Sequence, residues 1–325
     1  MTLDNILLPI KPLQVKFEEQ FSKTLVSEVQ LVKDTILHIT KNKGKRLRSN
    51  LMLLIATFFG EVSERLYSNA IMIELLHTAT LLHDDVVDYS MERRNQPSVN
   101  AIWDNKVAVL LGDYLSARSF QPVFQIKDYD FIEIVCKNIE IMSQGEILAI
   151  QQSSSLEFDE ESYFKVTFAK TASLISTACY ISANIASNGD EEKYISFKKY
   201  GEYVGMAFQI RDDVFDYIST NDKIGKPVGN DIKERKLTLP LIYALQNANE
   251  KTREDILSMI KLNSFSAENI EEIINFTIKA GGIEYAMAKA MEFVEKAKES
   301  IAFLPDIKEK EALINFAEYV ITREK

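Results

Sequence analysis

Apolar residues recur at steps of three and four along nearly the whole chain, the spacing of one helix face, and period-two alternation is nowhere sustained. The first such stretch covers residues 14–40, with Val15, Phe17, Phe21, Leu25, Val29, Val32 and Ile36 in register. A basic break at 41–48 follows, then an apolar helix over 51–59 that Gly60 is placed to end. The same pattern predicts helices over 66–88, 98–126, 129–152, 160–187 and 192–218. Shorter amphipathic ones are predicted over 238–247, 251–262, 267–280, 283–302 and 307–322. Two polar interruptions separate them: a turn at 89–97 and a loop at 221–231 punctuated by Gly and Pro. With no low-complexity linker and no fixed-period repeat, one all-α domain spanning residues 1–325 is expected. Gly201 and Gly205, inside a predicted helix, imply a close backbone approach there.

Composition agrees with helix. Gly 11 and Pro 7 leave little material for irregular stretches, and 46% hydrophobic residues suffice for a large core. The net charge of −10 excludes a general nucleic-acid binder, which needs a basic footprint. Any anionic substrate must therefore meet a local basic pocket. The N-terminus offers only a short apolar patch broken by Pro9, without a basic flank, so a signal peptide is not expected. No apolar run approaches the ~20 residues of a membrane span. Cys136 and Cys179 indicate no disulfide framework. A soluble, cytoplasmic protein is expected.

Charge changes the picture at two places. The run Glu74-Leu-Leu-His77-Thr-Ala-Thr80-Leu-Leu-His-Asp84-Asp85-Val-Val-Asp88 ends an apolar helix in three carboxylates. Closely similar chemistry returns as Phe208-Gln209-Ile-Arg-Asp212-Asp213-Val-Phe-Asp216. Residues four apart share a helix face, so Asp84 and Asp88 project together, as do Asp212 and Asp216. The middle aspartate lies about 100° around the axis. Magnesium binds through one or two carboxylates, several waters and substrate phosphates, and such a run suits that habit. A solvated acidic patch would explain one run; two of the same form argue against it.

Phosphate needs further cations. Lys45, Arg46 and Arg48, then Arg93 and Arg94, then Lys226 and Lys236, stand where the chain breaks beside the acidic helices. Lys170-Thr171 instead lies within a helical pattern. His77 precedes Asp84 by two helical turns and shares its face, so an anion contact competes with a plain core role. His38 and His83 carry no such argument, and His or Cys metal ligation is not indicated.

These motifs resemble the trans-prenyltransferases, the all-trans polyprenyl diphosphate synthases, and most of all the long-chain bacterial polyprenyl synthetases. The likeness is carried by Gly44-Lys45-Arg46 with Arg48, His77, the first aspartate run with Arg93-Arg94, and Leu111-Gly112-Asp113-Tyr114. It continues through Gln144-Gly145-Glu146, Lys170-Thr171-Ala172, Gln209 with the second aspartate run, Gly225-Lys226 and Lys236. Asn95 departs from it, standing where glycine commonly follows the arginine pair.

The resemblance implies an all-α isoprenoid-synthase-type helical bundle around a deep central cavity, usually in a homodimer. It implies head-to-tail condensation of isopentenyl diphosphate onto an allylic diphosphate. Asp84, Asp88 and Asp212 would hold Mg2+ on the allylic diphosphate, supported by Asp85, Asp213 and Asp216. Arg93, Lys170, Lys226 and Lys236 would contact that diphosphate, with Gln209 and Thr171 lining its reacting end. Lys45, Arg48, His77 and Arg94 would hold isopentenyl diphosphate. No transmembrane segment is expected, although product release would bring passing contact with a membrane. A short-chain farnesyl or geranylgeranyl synthase shares every motif. A terpene cyclase would not need the second aspartate run, and a catalytically silent subunit of a heteromeric synthase should have lost aspartates or arginines.

The same resemblance makes Ala79 and Thr80 the chain-length gate, and bulky aromatics are absent there. On a helical wheel Ala79 points away from Asp84, so geometry alone supports only Thr80. The helix before Asp84 offers roughly 24 Å, enough for about five prenyl units at ~4–5 Å each. A product beyond twenty carbons, of the kind used as a quinone side chain, is therefore expected, with Ile73 and Leu76 candidates for a deeper stop. The C-terminal Thr322-Arg323-Glu-Lys325 reads as a solvated tail rather than a cation supply. Thr80→Phe is expected to shorten the product, as read by chain-length analysis; an unchanged product would remove Thr80 from the gate.

Overall fold

One helix, Glu64–Val87, is buried on every side from Asn69 to Leu76, so it belongs to a core rather than to a surface. The computed structural model of the chain describes all residues except 1, 42–43, 61, 157–158, 219–228, 262–264 and 324–325. In chain order it holds Leu3–Ile6 (α1), a 3-10 turn at Leu8–Ile10, Lys11–Thr24 (α2), Gln30–Lys41 (α3), Leu47–Phe59 (α4) and Glu64–Val87 (α5). Val99–Trp103 (α6), Asn105–Gln125 (α7), Tyr129–Ser155 (α8) and Glu160–Thr167 (α9) follow, then a π turn at Phe168–Ala172. Ser173–Ala186 (α10), Glu191–Ile218 (α11), Asn230–Lys233 (α12), Leu239–Asn247 (α13) and Glu250–Lys261 (α14) come next. Ala267–Lys279 (α15), Gly282–Ser300 (α16) and Lys308–Thr322 (α17) complete the series. Among the described residues the only strands are Glu92–Arg93 (β1) and Gln96–Pro97 (β2), so the fold is all-α.

The chain forms two compact units. The first comprises Met1–Lys137, Ser176–Lys198 and Phe303–Phe316; the second comprises Asn138–Ile175, Lys199–Ala302 and Ala317–Lys325. In the first, α5 packs along α7 and against α4, whose Leu51 to Ala56 are all buried. Ser63 starts α5 by accepting from Leu66 N, and Gly60 ends α4 with a φ of 126° open to few other residues. In the second, Ile210 and Val214 of α11 meet Tyr163, Leu239, Ile242, Ala286 and Ala290. Tyr217 joins a neighbouring cluster with Ile232, Leu241, Leu245, Ile256 and Ile260.

Three predicted helices are each interrupted. The 14–40 stretch is two helices, because Arg118 and Tyr114 of α7 donate to the carbonyls of Thr24 and Val26 and hold that backbone non-helical. The 98–126 stretch breaks at Asp104, whose φ is 84° and whose carboxylate caps α7 by accepting from Lys106 N and Val107 N. In the 160–187 stretch the Ser173 N–H reaches back to Phe168 O, a five-residue step that widens the helix at Lys170 and Thr171.

The 89–97 turn is a hairpin in which Arg93 pairs with Gln96, leaving Arg94 and Asn95 as a two-residue loop. Both have positive φ, 55° and 59°, as the favoured hairpin turn demands. Asparagine tolerates that conformation well, so the departure from glycine preserves the turn.

The close approach expected at Gly205 is real: a Cβ there would lie 2.5 Å from Ala172 Cα. Because the obstacle is backbone of the π turn, Gly205→Ala should cost about 1–3 kcal/mol by urea denaturation.

Candidate active site

Each unit carries one aspartate run and its own set of partners. In the first unit, Asp84 and Asp88 lie on one face at the end of α5, both half-buried, with Asp88 N closing the helix onto Asp84 O at 2.8 Å. Asp85 turns away and is 2% exposed. It holds Arg93 directly, with Nε and Nη2 both 2.6 Å from Oδ1. Asp85 is thus tied into an ion pair with Arg93.

The start of α4 is built around a carboxylate to which no role was attached from sequence. Arg46, with φ of 49°, gives α4 no side-chain cap. Glu74, 3% exposed on α5, supplies one from outside: its Oε1 accepts from Ser49 N at 2.9 Å and Ser49 Oγ at 3.0 Å. Its Oε2 lies 3.6 Å from Arg46 Nη1, and Arg46 also reaches Glu18 at 3.1 Å while lying over the Phe21 ring.

Around this anchor gather the predicted isopentenyl diphosphate residues. Burial pulls the Arg48 guanidinium down to about 10, with Glu74 opposing and Arg94 adding to the effect. Its buried Nε makes no hydrogen bond among the described residues. Arg94 is lowered by burial, then by Arg93 and Arg46. Its guanidinium occupies the space over Gly44, where a Cβ would come within 2.5 Å of Nη2, which gives that glycine its reason. Burial, followed by Arg48, Arg94, Arg93 and Arg46, holds His77 well below its ordinary value, so the imidazole is neutral at pH 7. Lys45 is exposed on the adjoining loop. Guanidiniums set around a neutral histidine, one of them with a buried Nε that has no partner among the described residues, offer donors that an anionic oxygen would satisfy.

Thr80 is half-buried, its hydroxyl donating to His77 O at 2.9 Å. Ala79, Ile73 and Leu76 are fully packed.

In the second unit, Lys170, Thr171, Gln209, Asp213 and Lys236 line one hollow, open to solvent. Thr171 Oγ1 donates to Gln209 Oε1 at 2.7 Å, Gln209 Nε2 to Asp213 Oδ1 at 2.8 Å, and Tyr163 Oη to Asp213 Oδ2 at 2.6 Å. Lys170 pairs with Glu146 at 2.6 Å and Lys236 with Glu234 at 2.6 Å. Burial raises Asp213 to about 7; the Tyr163 and Gln209 bonds oppose this, while Asp212 and Asp216 add to it.

Asp216 does not line the hollow. It accepts from Asn230 N at 3.0 Å and Asp231 N at 2.9 Å, capping α12. Burial, with Asp216 and Asp213 close by, raises Asp231 well above the usual carboxylate range. Asp212 is half-buried and ion-paired with Arg323. The solvated-tail expectation is thereby corrected at Arg323, which is 8% exposed. Lys226 and Lys325 lie outside the described residues.

Among the described residues no three His, Cys, Asp or Glu converge as a ready-made metal cage. Magnesium asks for less, one or two carboxylates with phosphate and water oxygens, and the hard-oxygen pair Asp84/Asp88 and half-buried Asp212 fit that demand. No helix among the described residues is long and apolar enough to cross a membrane.

Residues 29–277 match the family model "Polyprenyl synthetase". The chain is 33% identical to the octaprenyl diphosphate synthase of Haemophilus influenzae over 99% of its own length and 98% of the relative's. It is 34% identical to the short chain isoprenyl diphosphate synthase of Methanothermobacter thermautotrophicus, covering 88% of this chain and 89% of that one. Among solved structures, the polyprenyl synthase of Caulobacter crescentus, complexed with calcium and isoprenyl diphosphate, superposes with a TM-score of 0.94 at 28% identity, covering 100% of this chain and 98% of that one.

His77 gives a pH test. The folded state keeps it neutral below the ordinary histidine value of 6.5, where the unfolded chain takes up a proton. Its contribution to stability is therefore present above that value and lost as pH falls beneath it. Denaturant unfolding between pH 7.5 and 5 should show the wild type losing stability relative to His77→Gln; a constant difference would place His77 in water.

Proposed function

The chain belongs to the polyprenyl synthetase family, and from that premise we propose that it extends an allylic diphosphate with isopentenyl diphosphate, head to tail, to an all-trans polyprenyl diphosphate of more than twenty carbons. It is a prenyltransferase. The observation that carries the substrate reading is the cluster of guanidiniums around neutral His77, where the buried Arg48 Nε stands without a hydrogen-bond partner among the described residues.

In this reading Lys45, Arg48, Arg94 and one imidazole N–H of His77 grip the isopentenyl diphosphate. Arg93, Lys170, Lys226 and Lys236 bind the allylic diphosphate, Arg93 steadied by Asp85. Magnesium held by Asp84, Asp88 and Asp212 would supply the charge that stabilises the departing diphosphate. The calcium in the Caulobacter crescentus complex supports a divalent cation beside an isoprenyl diphosphate. Thr171 and Gln209, locked by Asp213 and Tyr163, line the reacting end with dipoles that need no reorganisation. The isopentenyl double bond attacks the allylic cation, and the proton then lost passes to the released diphosphate. Water must be kept out throughout, or it would quench the cation.

The octaprenyl relative and the small residues Ala79 and Thr80 favour a long product; the short-chain relative keeps a fifteen- or twenty-carbon product as the second reading. A homodimer is supported by Leu110, Ala117 and Phe124, which expose an apolar strip one heptad apart on α7. A single cytoplasmic domain completes the proposal.

Purified protein supplied with magnesium, isopentenyl diphosphate and allylic primers of several lengths should yield products beyond twenty carbons. No elongation with any primer would sink the proposal, and products ending at fifteen or twenty would select the second reading. Asp84→Ala and Asp212→Ala should each lower turnover roughly a hundredfold or more with an unchanged circular dichroism spectrum.

A further inference from the structure

Arg323 is a desolvated cation held from several sides. Its guanidinium lies 4.0 Å from the Phe208 ring centroid and 5.5 Å from that of Phe215. Nε donates to Val320 O at 3.1 Å and Nη2 to Phe208 O at 3.4 Å, while the Arg323 carbonyl accepts from Arg211 Nη2 at 3.2 Å. The same Nη2 pairs with Asp212 Oδ1. Asp212 is half-buried, and a carboxylate in such a place is stabilised by a neighbouring cation. Arg323 provides it from the chain's own end.

We propose that Arg323 is a positioning residue for the metal: its guanidinium holds the Asp212 carboxylate in the metal-free protein, and a divalent cation arriving with a diphosphate displaces it. This rests on the reading of Asp212 as a magnesium ligand. The contact is a single fork prong on one carboxylate oxygen, not a bidentate clamp, so it can be exchanged. A dication and a guanidinium sharing one carboxylate repel each other, and the dication, joined by diphosphate oxygens that neutralise it, has the stronger claim. Coupling of this kind is reciprocal: if Arg323 weakens metal binding, metal binding must weaken the seating of Arg323 and loosen the last turn of α17.

Two measurements test this. In the wild type, hydrogen exchange over residues 316–323 should be slow in chelator and faster with magnesium plus inorganic diphosphate, a readout that needs no variant. In calorimetric titrations of magnesium in the presence of inorganic diphosphate, Arg323→Gln should lower the half-saturating concentration about fivefold or more, and Arg323→Lys, which keeps the charge, should shift it less. A structural anchor alone would lower thermal stability and leave that midpoint in place. Unchanged exchange together with a wild-type midpoint in Arg323→Gln would overturn the proposal. A wild-type midpoint in Asp212→Asn would instead overturn the metal assignment beneath it, separating the two failures.

Discussion

Like charges gathered in a partly dry place repel, and the charge cluster in each unit exists only because that repulsion is met. In the first unit Arg46, Arg48, Arg93 and Arg94 all act on one imidazole. Carboxylates answer them one at a time: Glu18 and Glu74 for Arg46, Asp85 for Arg93. Arg48 stays depressed by burial, and its Nε makes no hydrogen bond among the described residues. A cluster of guanidiniums around a neutral imidazole sets a positive local field, which favours an anion over a neutral group beside it.

The second unit faces the same constraint with the sign reversed and answers it in three chemically different ways. Asp212 takes a guanidinium. Asp216 takes the backbone N–H groups that open α12, an arrangement that also fixes where that helix begins. Asp213, driven up by burial, is gripped through both oxygens by Tyr163 and Gln209. Only the first of these partnerships belongs to a cation that another cation can replace. The other two tie the carboxylate into the fold, which is why three aspartates of one run do not have one role.

Periodicity made the helices legible, and spacing made the Asp84/Asp88 face legible, because both follow from the geometry of a single helix. The breaks at 25–29 and at Asp104 did not follow. The first depends on Arg118 and Tyr114 reaching carbonyls some ninety positions away in sequence, and the second on a capping carboxylate within a pattern that reads straight through it. Glu74 lies in the same helix as the first aspartate run, yet its partner Ser49 belongs to another helix. Arg323 was hardest of all: 111 residues separate it from Asp212, and a short polar terminus looks the same in sequence whether or not aromatic rings wait for it.

What unites the first unit's cluster is that α5 carries Glu74, His77, Thr80 and the first aspartates along one rigid axis. Glu74 sets the start of α4, His77 centres the cations one turn later, and Thr80 stands a further turn toward Asp84 and Asp88. At 1.5 Å per residue, His77 and Asp84 are about 10.5 Å apart along the axis. That separation places a cationic grip and an acidic grip at different heights on one helix. The middle of α5 is buried on all sides against α4 and α7, so it can neither rotate nor slide without exposing apolar surface. The apolar packing of α5, which contributes no chemistry, is therefore what keeps the two grips in register.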